Sequence, residues 1–207
     1  MAFPTTGILD DFNRADSTDP GSNWSADQFT AGNANFQILG QRSAPNGGGT
    51  VVSEAWWNAN QFGPDCEAYC TLRVTASQEI GLTLRLQNPG VADSCDGYSY
   101  WHDLGNSNSY ILRFDNDVGT QLGAGIVQAV DADDRFGFSA VGDQLTAHFS
   151  QEGGDFSELS SRTDGTYSSA GYIGANFSSN LSNRQDDFGG GTVVTVAFIL
   201  PARRRGR

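Results

Sequence analysis

Short segments in which apolar and polar residues alternate run along most of this chain, and no stretch keeps a helical period for three turns. In residues 80–87 the leucines at 82, 84 and 86 alternate with polar residues, a pattern that buries one face of a β-strand. Strands are predicted at residues 35–42, 50–57, 66–74, 80–86, 98–104, 110–114, 121–130, 135–141, 145–150, 158–162, 172–177 and 193–200.

Glycine, aspartate and asparagine separate these segments, with hairpin-type turn signals at residues 115–117, 142–143, 152–155 and 164–165. The chain has 207 residues, with 26 Gly, 6 Pro and 11% aromatic residues, so it suits one folded domain better than a disordered chain. Many short strands in a chain of this length predict an all-β, antiparallel two-sheet sandwich.

Targeting segments are not expected. Residues 1–7 have neither the basic nor the apolar region of a secretory signal. The longest apolar run, residues 193–200, is far shorter than the roughly 20 residues that span a bilayer. The sequence therefore predicts synthesis in the cytoplasm without membrane insertion.

The charge is unevenly distributed. All 12 basic residues are arginine, and four of them lie in the last five residues. The rest of the chain has eight arginines against 24 acidic residues, a formal charge of −16. Such a body repels phosphate groups, so nucleic acid is not expected as a partner except through the arginine tail. The lack of lysine fits codon bias in a GC-rich genome, with selection for arginine as the alternative.

Three cysteines are present. Cys66 and Cys70 share one face of a predicted strand at a separation of roughly 13 Å, which is too far for a disulfide. Cys95 could therefore pair with only one of them. Two alternatives follow: three buried thiols, or a single disulfide with one thiol left over.

Several short motifs occur in a specific order. Asp-Asp-Phe stands at residues 10–12 and again at 186–188. Around it lie Ile-Leu-Asp-Asp-Phe-Asn-Arg-Ala-Asp at 8–16, Gly-Ser-Asn-Trp at 21–24, Ile-Gly-Leu-Thr-Leu-Arg-Leu-Gln at 80–87, Asp-Gly-Tyr at 96–98, Ala-Gly-Tyr-Ile-Gly at 170–174 and Asp-Phe-Gly-Gly-Gly at 187–191. This order resembles the laminin-G-like jelly-roll domains of the concanavalin A-like lectin and glucanase superfamily, and above all the copies in minor tail and other virion proteins of actinobacterial phages.

The resemblance implies a jelly-roll sandwich over residues 1–191, followed by a C-terminal strand and basic tail at 192–207. It implies that the first and last domain strands are neighbours, with Phe12 and Phe188 pointing into the sandwich and Asp11 and Asp187 at its edge. These carboxylates then either discourage edge pairing or form a cation site.

The resemblance also implies a function: a non-catalytic virion protein, as a minor tail or head-decoration subunit, with a face that recognises host-surface glycans. Its partners would be other virion proteins or copies of itself, and its location the virion. The alternatives are a glycoside hydrolase of the same fold and an assembly module without a sugar ligand.

Catalytic patterns are missing from the sequence. Retaining glucanases of this superfamily place two carboxylates on one strand face in a Glu-x-Asp-x-Glu pattern, which this chain lacks. His102 and His148 are its only histidines, and no Gly-x-Ser-x-Gly motif accompanies them. No enzymatic activity and no organic cofactor are therefore expected.

Aromatic residues are the best candidates for a binding site. In residues 98–103, Trp101 and Asp103 fall on the opposite face from Tyr98 and Tyr100, next to a polar loop that contains Asn106. An aromatic ring can cover the apolar face of a sugar while Asp and Asn bind its hydroxyl groups. The alternative is core packing by the tyrosines with Trp101 half exposed. Trp57, one of two adjacent tryptophans, is a second candidate, because one of the two should be exposed or at an interface.

Calcium is the one metal that the sequence suggests. Asp131, Asp133 and Asp134 have an oxygen-rich spacing but lack the glycine and terminal glutamate of an EF-hand. A solvated turn is the alternative.

The C-terminal segment is predicted to serve assembly. Residues 193–200 form a β-prone run with two apolar faces, which needs cover from its own sheet or from a neighbouring subunit. The assembly candidates are Val194, Val196, Phe198, Leu200, Arg203, Arg204, Arg205 and Arg207.

Overall fold

A computed structural model describes residues 2–26, 28–29, 34–46, 52–76, 79–178 and 182–194. These residues form sixteen strands: β1 Ile8–Asp10, β2 Trp24–Ala26, β3 Gln37–Ile38, β4 Ser43–Ala44, β5 Ser53–Trp57, β6 Cys66–Val74, β7 Glu79–Gln87, β8 Asp96–Asp103, β9 Asn108–Asp115, β10 Val118–Gln121, β11 Ile126–Val127, β12 Arg135–Val141, β13 Gln144–Ser150, β14 Ser157–Thr163, β15 Tyr172–Phe177 and β16 Arg184–Thr192. In this part of the chain no helix is long and apolar enough to cross a membrane.

The strands build two antiparallel sheets. Sheet A has the order β14-β13-β12-β6-β16-β4-β3, with β1 also paired to β16. Sheet B has the order β10-β9-β8-β7-β15-β5-β2, with β11 also paired to β9. The inner faces of both sheets bury one continuous apolar core. The predicted two-sheet sandwich is therefore confirmed.

The first and last strands are neighbours, as the resemblance implies. Asp10 of β1 is paired with Phe188 of β16. Phe12 and Phe188 are both buried, and the ring of Trp24 packs between them, with its centroid 6.0 Å from Phe12 and 4.9 Å from Phe188. Aromatic contacts thus join the two ends of the domain.

Some strand predictions are wrong. Residues 121–130 hold only the end of β10 and the two residues of β11, residues 35–42 hold only the two residues of β3, and β1, β2, β4 and β16 lie outside the predicted strand ranges. Strand β16 reads Arg-Gln-Asp-Asp-Phe-Gly-Gly-Gly-Thr, which has little apolar alternation, so pairing with β6 and β1 determines its conformation. Of the predicted strand 193–200, only Val193 and Val194 lie among the described residues, and neither is in a strand.

A bulge in β7 changes the expected alternation. Arg85 has a φ of 53° and is fully buried. Its guanidinium donates hydrogen bonds to the carbonyls of Pro64, Gly142 and Tyr167 at 2.6, 2.7 and 2.9 Å. Because the register shifts here, Leu86 packs in a second cluster outside the main core. All three cysteines are free and buried, in agreement with the first of the two alternatives.

Candidate functional site

The outer face of sheet B presents two adjacent rows of side chains across five paired strands. The first, which we call the Thr83 row, consists of Trp56, Gly174, Thr83, Ser99 and Leu112; the second, the Trp101 row, consists of Glu54, Asn176, Gly81, Trp101 and Tyr110. The residues between them in sequence, such as Leu82 and Tyr100, belong to the inner core. Strand alternation therefore places both rows on the side of the sheet away from the core.

Two residues from the segment after β2 lie across this face. The Phe29 ring stacks on Phe114, with centroids 3.7 Å apart, and its backbone N–H donates to Glu54 Oε2 at 3.2 Å. Gln28 Nε2 donates to the carbonyl of Ala175 at 2.7 Å and also to that of Ala55. As a result Thr83, on the outer side of the sheet, is 0% exposed.

Two glycines in strand interiors allow the polar side chains to converge. A Cβ atom on Gly81 would lie 2.4 Å from Asn176 Oδ1 and 2.8 Å from Trp101 Cδ1. A Cβ atom on Gly174 would lie 2.5 Å from Gln28 Nε2 and 2.9 Å from Thr83 Oγ1. Gln28, Thr83, Asn176 and Trp101 thus meet over β15, β7 and β8, and we call this group the polar cluster.

Each member of the polar cluster has an atom without a hydrogen-bond partner. In the described part of the chain nine buried side-chain atoms are unpaired, and four of them are Gln28 Oε1, Thr83 Oγ1, Trp101 Nε1 and Asn176 Nδ2. Buried polar groups are normally paired, and an unpaired one costs about 1–3 kcal/mol. All four atoms are sealed from solvent, and Thr83, Gln28 and Asn176 are only 0 to 2% exposed, so a ligand on the surface does not contact them.

Aromatic rings border the polar cluster on two sides. Trp56 and Tyr172 lie 4.4 Å apart on one side, and the Trp56 indole N–H donates to the Ala26 carbonyl at 3.2 Å. On the other side the Trp101 ring lies 6.1 Å from Phe114. Both tryptophans are half-buried, so part of each indole is exposed on this face.

The structure places the predicted Trp101, Asp103 and Asn106 at the end of β8. Asp103 lies on the same face as Trp101, while Tyr98 and Tyr100 are in the core, as expected. The carboxylate of Asp103 accepts hydrogen bonds from the Asn106 side chain at 2.6 Å and from the backbone N–H of Gly105 at 2.9 Å. The Asn106 hydrogen bond is the main cause that lowers the Asp103 pKa. Asp103 and Asn106 therefore bind each other beside the polar cluster, and their role as glycan contacts stays a prediction.

Trp57 is corrected. It is 6% exposed and packs edge-on against Trp24 at 5.4 Å inside the sandwich, so it cannot contact a surface ligand without unfolding. Its neighbour Trp56 is the outward tryptophan. The pair does divide between the two faces of the sheet, but the candidate named from the sequence is the inward one.

The calcium candidates lie in a turn next to Arg73, and calcium binding there stays a prediction. Asp133 forms an ion pair with Arg73 at 2.7 Å. Asp134 is buried, and its oxygens accept the backbone N–H groups of Asp131 at 2.9 Å and Glu152 at 3.0 Å. The carboxylates of Asp133 and Asp134 thus bind Arg73 and the backbone of the turn. The described residues contain no group of three or more His, Cys, Asp or Glu side chains that could hold a metal.

At the edge where β1 meets β16, Asp11, Asp186 and Asp187 line one surface hollow. Burial, followed by the charge of Asp186, raises the pKa of Asp187. Arg73 binds Asp186 at 2.9 Å and Asp187 at 3.2 Å, so a cation is already present. These carboxylates are therefore more simply interpreted as acidic side chains that discourage edge pairing than as a cation site.

Both histidines of the chain bind a serine hydroxyl, but Ser109 and Ser139 are buried and offer no accessible nucleophile. Burial lowers the pKa of His102 and of His148 to about 4, and their ring nitrogens bind Ser109 at 2.6 Å and Ser139 at 2.8 Å. Glu67 is buried on sheet A, where four donors from Thr5 and Thr6 bind its Oε1.

No protein-family model matches the sequence, and no curated protein sequence is significantly similar to it. Solved structures share its fold. A protein of unknown function with a galectin-like fold from Bacillus subtilis gives a TM-score of 0.64 at 11% identity, covering 95% of this chain and 100% of that one. The exoplasmic/lumenal domain of VIP36 in its Ca²⁺/Man2-bound form gives 0.62 at 14% identity, covering 92% and 89%. The carbohydrate-binding module CBM66 from Bacillus subtilis gives 0.57 at 13% identity, covering 83% and 94%.

The chain is therefore an all-β jelly-roll sandwich of the galectin-like and concanavalin A-like type. At these identities the likeness shows the fold alone.

Proposed function

We propose that this chain is a non-catalytic carbohydrate-binding protein whose ligand contacts the outer face of sheet B around Trp101. The observation that carries the proposal is the pair of half-buried tryptophans, Trp56 and Trp101, whose indole rings are partly exposed on this face. The apolar C–H face of a sugar can pack on such a ring, while Asp103 and Asn106 at the end of β8 offer polar groups for its hydroxyls. The sugar-bound VIP36 domain and the CBM66 module, which have the same fold, support the ligand class.

Substitution of Trp101 by alanine tests this site. Trp101→Ala removes the ring and should weaken binding to any recognised glycan by more than about 1 kcal/mol. Phe156→Ala is a matched control, since it removes an aromatic ring that packs against Phe3 on the opposite sheet. A glycan array with calorimetric titration of the hits gives both affinities. Unchanged binding by Trp101→Ala would exclude this face as the site.

Hydrolysis is the competing function. Incubation with β-glucans and bacterial wall polysaccharides should leave reducing ends at background, because the sequence lacks the carboxylate pair of a retaining glycosidase. Turnover that is abolished by substituting one carboxylate would contradict this.

The virion role rests on the order of sequence motifs and on the C-terminal segment. We propose that residues 195–207 associate with other virion proteins or with another copy of the chain. Val196, Phe198, Leu200, Arg203, Arg204, Arg205 and Arg207 lie outside the described residues, whereas Val194 is 65% exposed. Thr192 and Val193 belong to the sandwich, because Thr192 pairs with Cys66 and Val193 donates its N–H to the Asp65 carbonyl.

A deletion to test the assembly role must therefore begin at residue 195. It should leave the fold intact and abolish incorporation into particles or self-association, measured by sedimentation and by particle composition. Normal incorporation of the truncated protein would contradict the assembly role. Loss of incorporation on truncation, together with no glycan binding by the full chain, would identify an assembly module without a sugar ligand.

A further inference from the structure

Strand β14 forms an open edge of sheet A. It covers Ser157–Thr163 and stands first in the strand order, with β13 as its one strand partner among the described residues. Its seven residues make it the longest strand at an end of either sheet in the described part of the chain; β3, β10 and β2 at the other ends have two, four and three. An edge strand leaves a row of backbone N–H and C=O groups available to a further strand.

The C-terminal segment supplies a strand of matching length. Residues 195–200 read Thr-Val-Ala-Phe-Ile-Leu, a β-prone run outside the described residues. In an extended chain Val196, Phe198 and Leu200 share one face. On β14, Leu159 packs against the main core at the border of the sandwich. A strand added there can continue the apolar core beyond Leu159 with this face.

Charge favours one direction for the added strand. Glu152, Asp155 and Glu158 are exposed at the beginning of β14, and none of them is in an ion pair with a described residue. Four arginines follow the apolar run, at residues 203–205 and 207. A strand antiparallel to β14 ends next to Ser157, so its arginines reach these carboxylates.

The chain's own C-terminal segment is too short to fill this position. Val194 follows β16, and β6, β12, β13 and β14 lie between β16 and the open edge. At about 4.8 Å per strand the added strand would lie roughly 24 Å from β16. An extended residue spans at most about 3.5 Å, so the crossing takes about seven residues and uses up residues 195–200. The donor must therefore be another copy.

We infer that residues 195–200 of one copy add as an antiparallel strand to the outer edge of β14 of a second copy. The inference rests on the proposed assembly role of residues 195–207 and adds the surface that receives them. Glu158 opposes pairing of two β14 edges with each other, whereas it attracts a strand followed by arginines.

Cross-linking between two copies tests the receiving edge. One tagged variant carries Ala197→Cys and a second, with a different tag, carries Ser161→Cys on β14; the three native cysteines are buried. A short bismaleimide, which tolerates a register slip of two residues, should join the two tags. Thr120→Cys on β10, the exposed end strand of sheet B, is the matched control and should not be cross-linked.

Two charge reversals test the direction. Asp155 precedes the beginning of β14, while Asp143 is hydrogen-bonded to Asp164, just after its end, and both are exposed. Asp155→Arg should weaken self-association about two- to five-fold, the scale of one exposed ion pair, and Asp143→Arg should not weaken it. Sedimentation velocity over a range of concentrations measures both. The opposite ranking would overturn the antiparallel direction.

The remaining outcomes separate this inference from the assembly role. Self-association that needs residues 195–207 but cross-links to Thr120→Cys and not to Ser161→Cys would overturn β14 as the receiving edge and leave the assembly role intact. A full-length chain that stays monomeric at all concentrations, yet loses incorporation into particles on truncation, would overturn the second copy as partner. Truncation without effect on either measurement would overturn the assembly role and the inference together.

Discussion

The outer faces of the two sheets are covered in opposite ways. On sheet A the N-terminal segment crosses the sheet, and Glu67 Oε1 accepts four hydrogen bonds from Thr5 and Thr6 at 2.6 to 3.1 Å. On sheet B, Gln28 and Phe29 cross the sheet, and four buried polar atoms stay unpaired beneath and beside them. The N-terminal segment supplies hydrogen-bond partners for the polar groups that it buries on sheet A, whereas Gln28 and Phe29 leave such groups unpaired on sheet B.

This difference separates a structural contact from a candidate binding site. Phe3 on sheet A stacks on His148 at 3.8 Å, and the His148 ring nitrogen is paired with Ser139. These contacts hold the N-terminal segment on sheet A. Sheet B instead presents the partly exposed indoles of Trp56 and Trp101, on which a sugar ring can pack.

Glu67→Ala should produce the largest loss of stability. It leaves the donors of Thr5 and Thr6 unpaired and frees the N-terminal segment, so the free energy of unfolding should fall by about 3 kcal/mol. Denaturant unfolding measures this, and Glu158→Ala, on the exposed edge strand of the same sheet, should change it little. Equal, small effects of both substitutions would mean that the N-terminal cover does not stabilise sheet A.

A pair of glycine substitutions should separate the two faces. A Cβ on Gly137 would lie 2.4 Å from the Phe3 ring, and one on Gly81 would lie 2.4 Å from Asn176 Oδ1. Gly137→Ala should lower stability by about 1–2 kcal/mol and leave glycan affinity unchanged. Gly81→Ala should weaken glycan binding by displacing Asn176 and Trp101. Loss of affinity in Gly137→Ala but not in Gly81→Ala would move the binding site to sheet A.

The smallest expected effect is pH-dependent and belongs to sheet A. Burial under Phe3 lowers the pKa of His148 to about 4, below its ordinary 6.5. The unfolded chain therefore binds this proton more readily, and stability should fall as the pH drops from 6.5 to 4. In His148→Gln the fall in the free energy of unfolding over this pH range should be smaller by about 1 kcal/mol, a value that allows for the partial exposure of the ring. Unfolding curves at several pH values give the slope, and identical slopes would contradict the assignment.

The sandwich could be predicted because alternation directly reports one buried face per strand. Strands β6, β12 and β15 lie where the periodicity places them. Strand β16 has no such pattern, since its conformation depends on pairing with β6 and β1. Leu86 lies on the outer face and not in the main core because of the backbone bulge at Arg85, which the sequence does not signal.

The candidate site could be predicted only in part. The outward position of Trp101 follows from alternation in β8, but alternation does not say which of Trp56 and Trp57 faces the core. Thr83 and Asn176 occupy ordinary polar positions of their strands, and Gln28 reaches them from a distant part of the chain. Gly81 and Gly174 are the one sequence signal, because glycine inside a strand indicates that another group comes close to the backbone.

The most direct test of the account is an NMR titration of the ¹⁵N-labelled protein with the neutral oligosaccharide that binds best. The chain has four tryptophans, and the indole N–H groups of Trp24 and Trp56 are already bonded to Asp10 and to the Ala26 carbonyl. The account predicts that the Trp101 indole shows the largest shift, while the buried Trp57 indole changes little. Saturation that leaves the Trp101 indole unmoved, or that shifts residues around Phe3 and His148 instead, would contradict it.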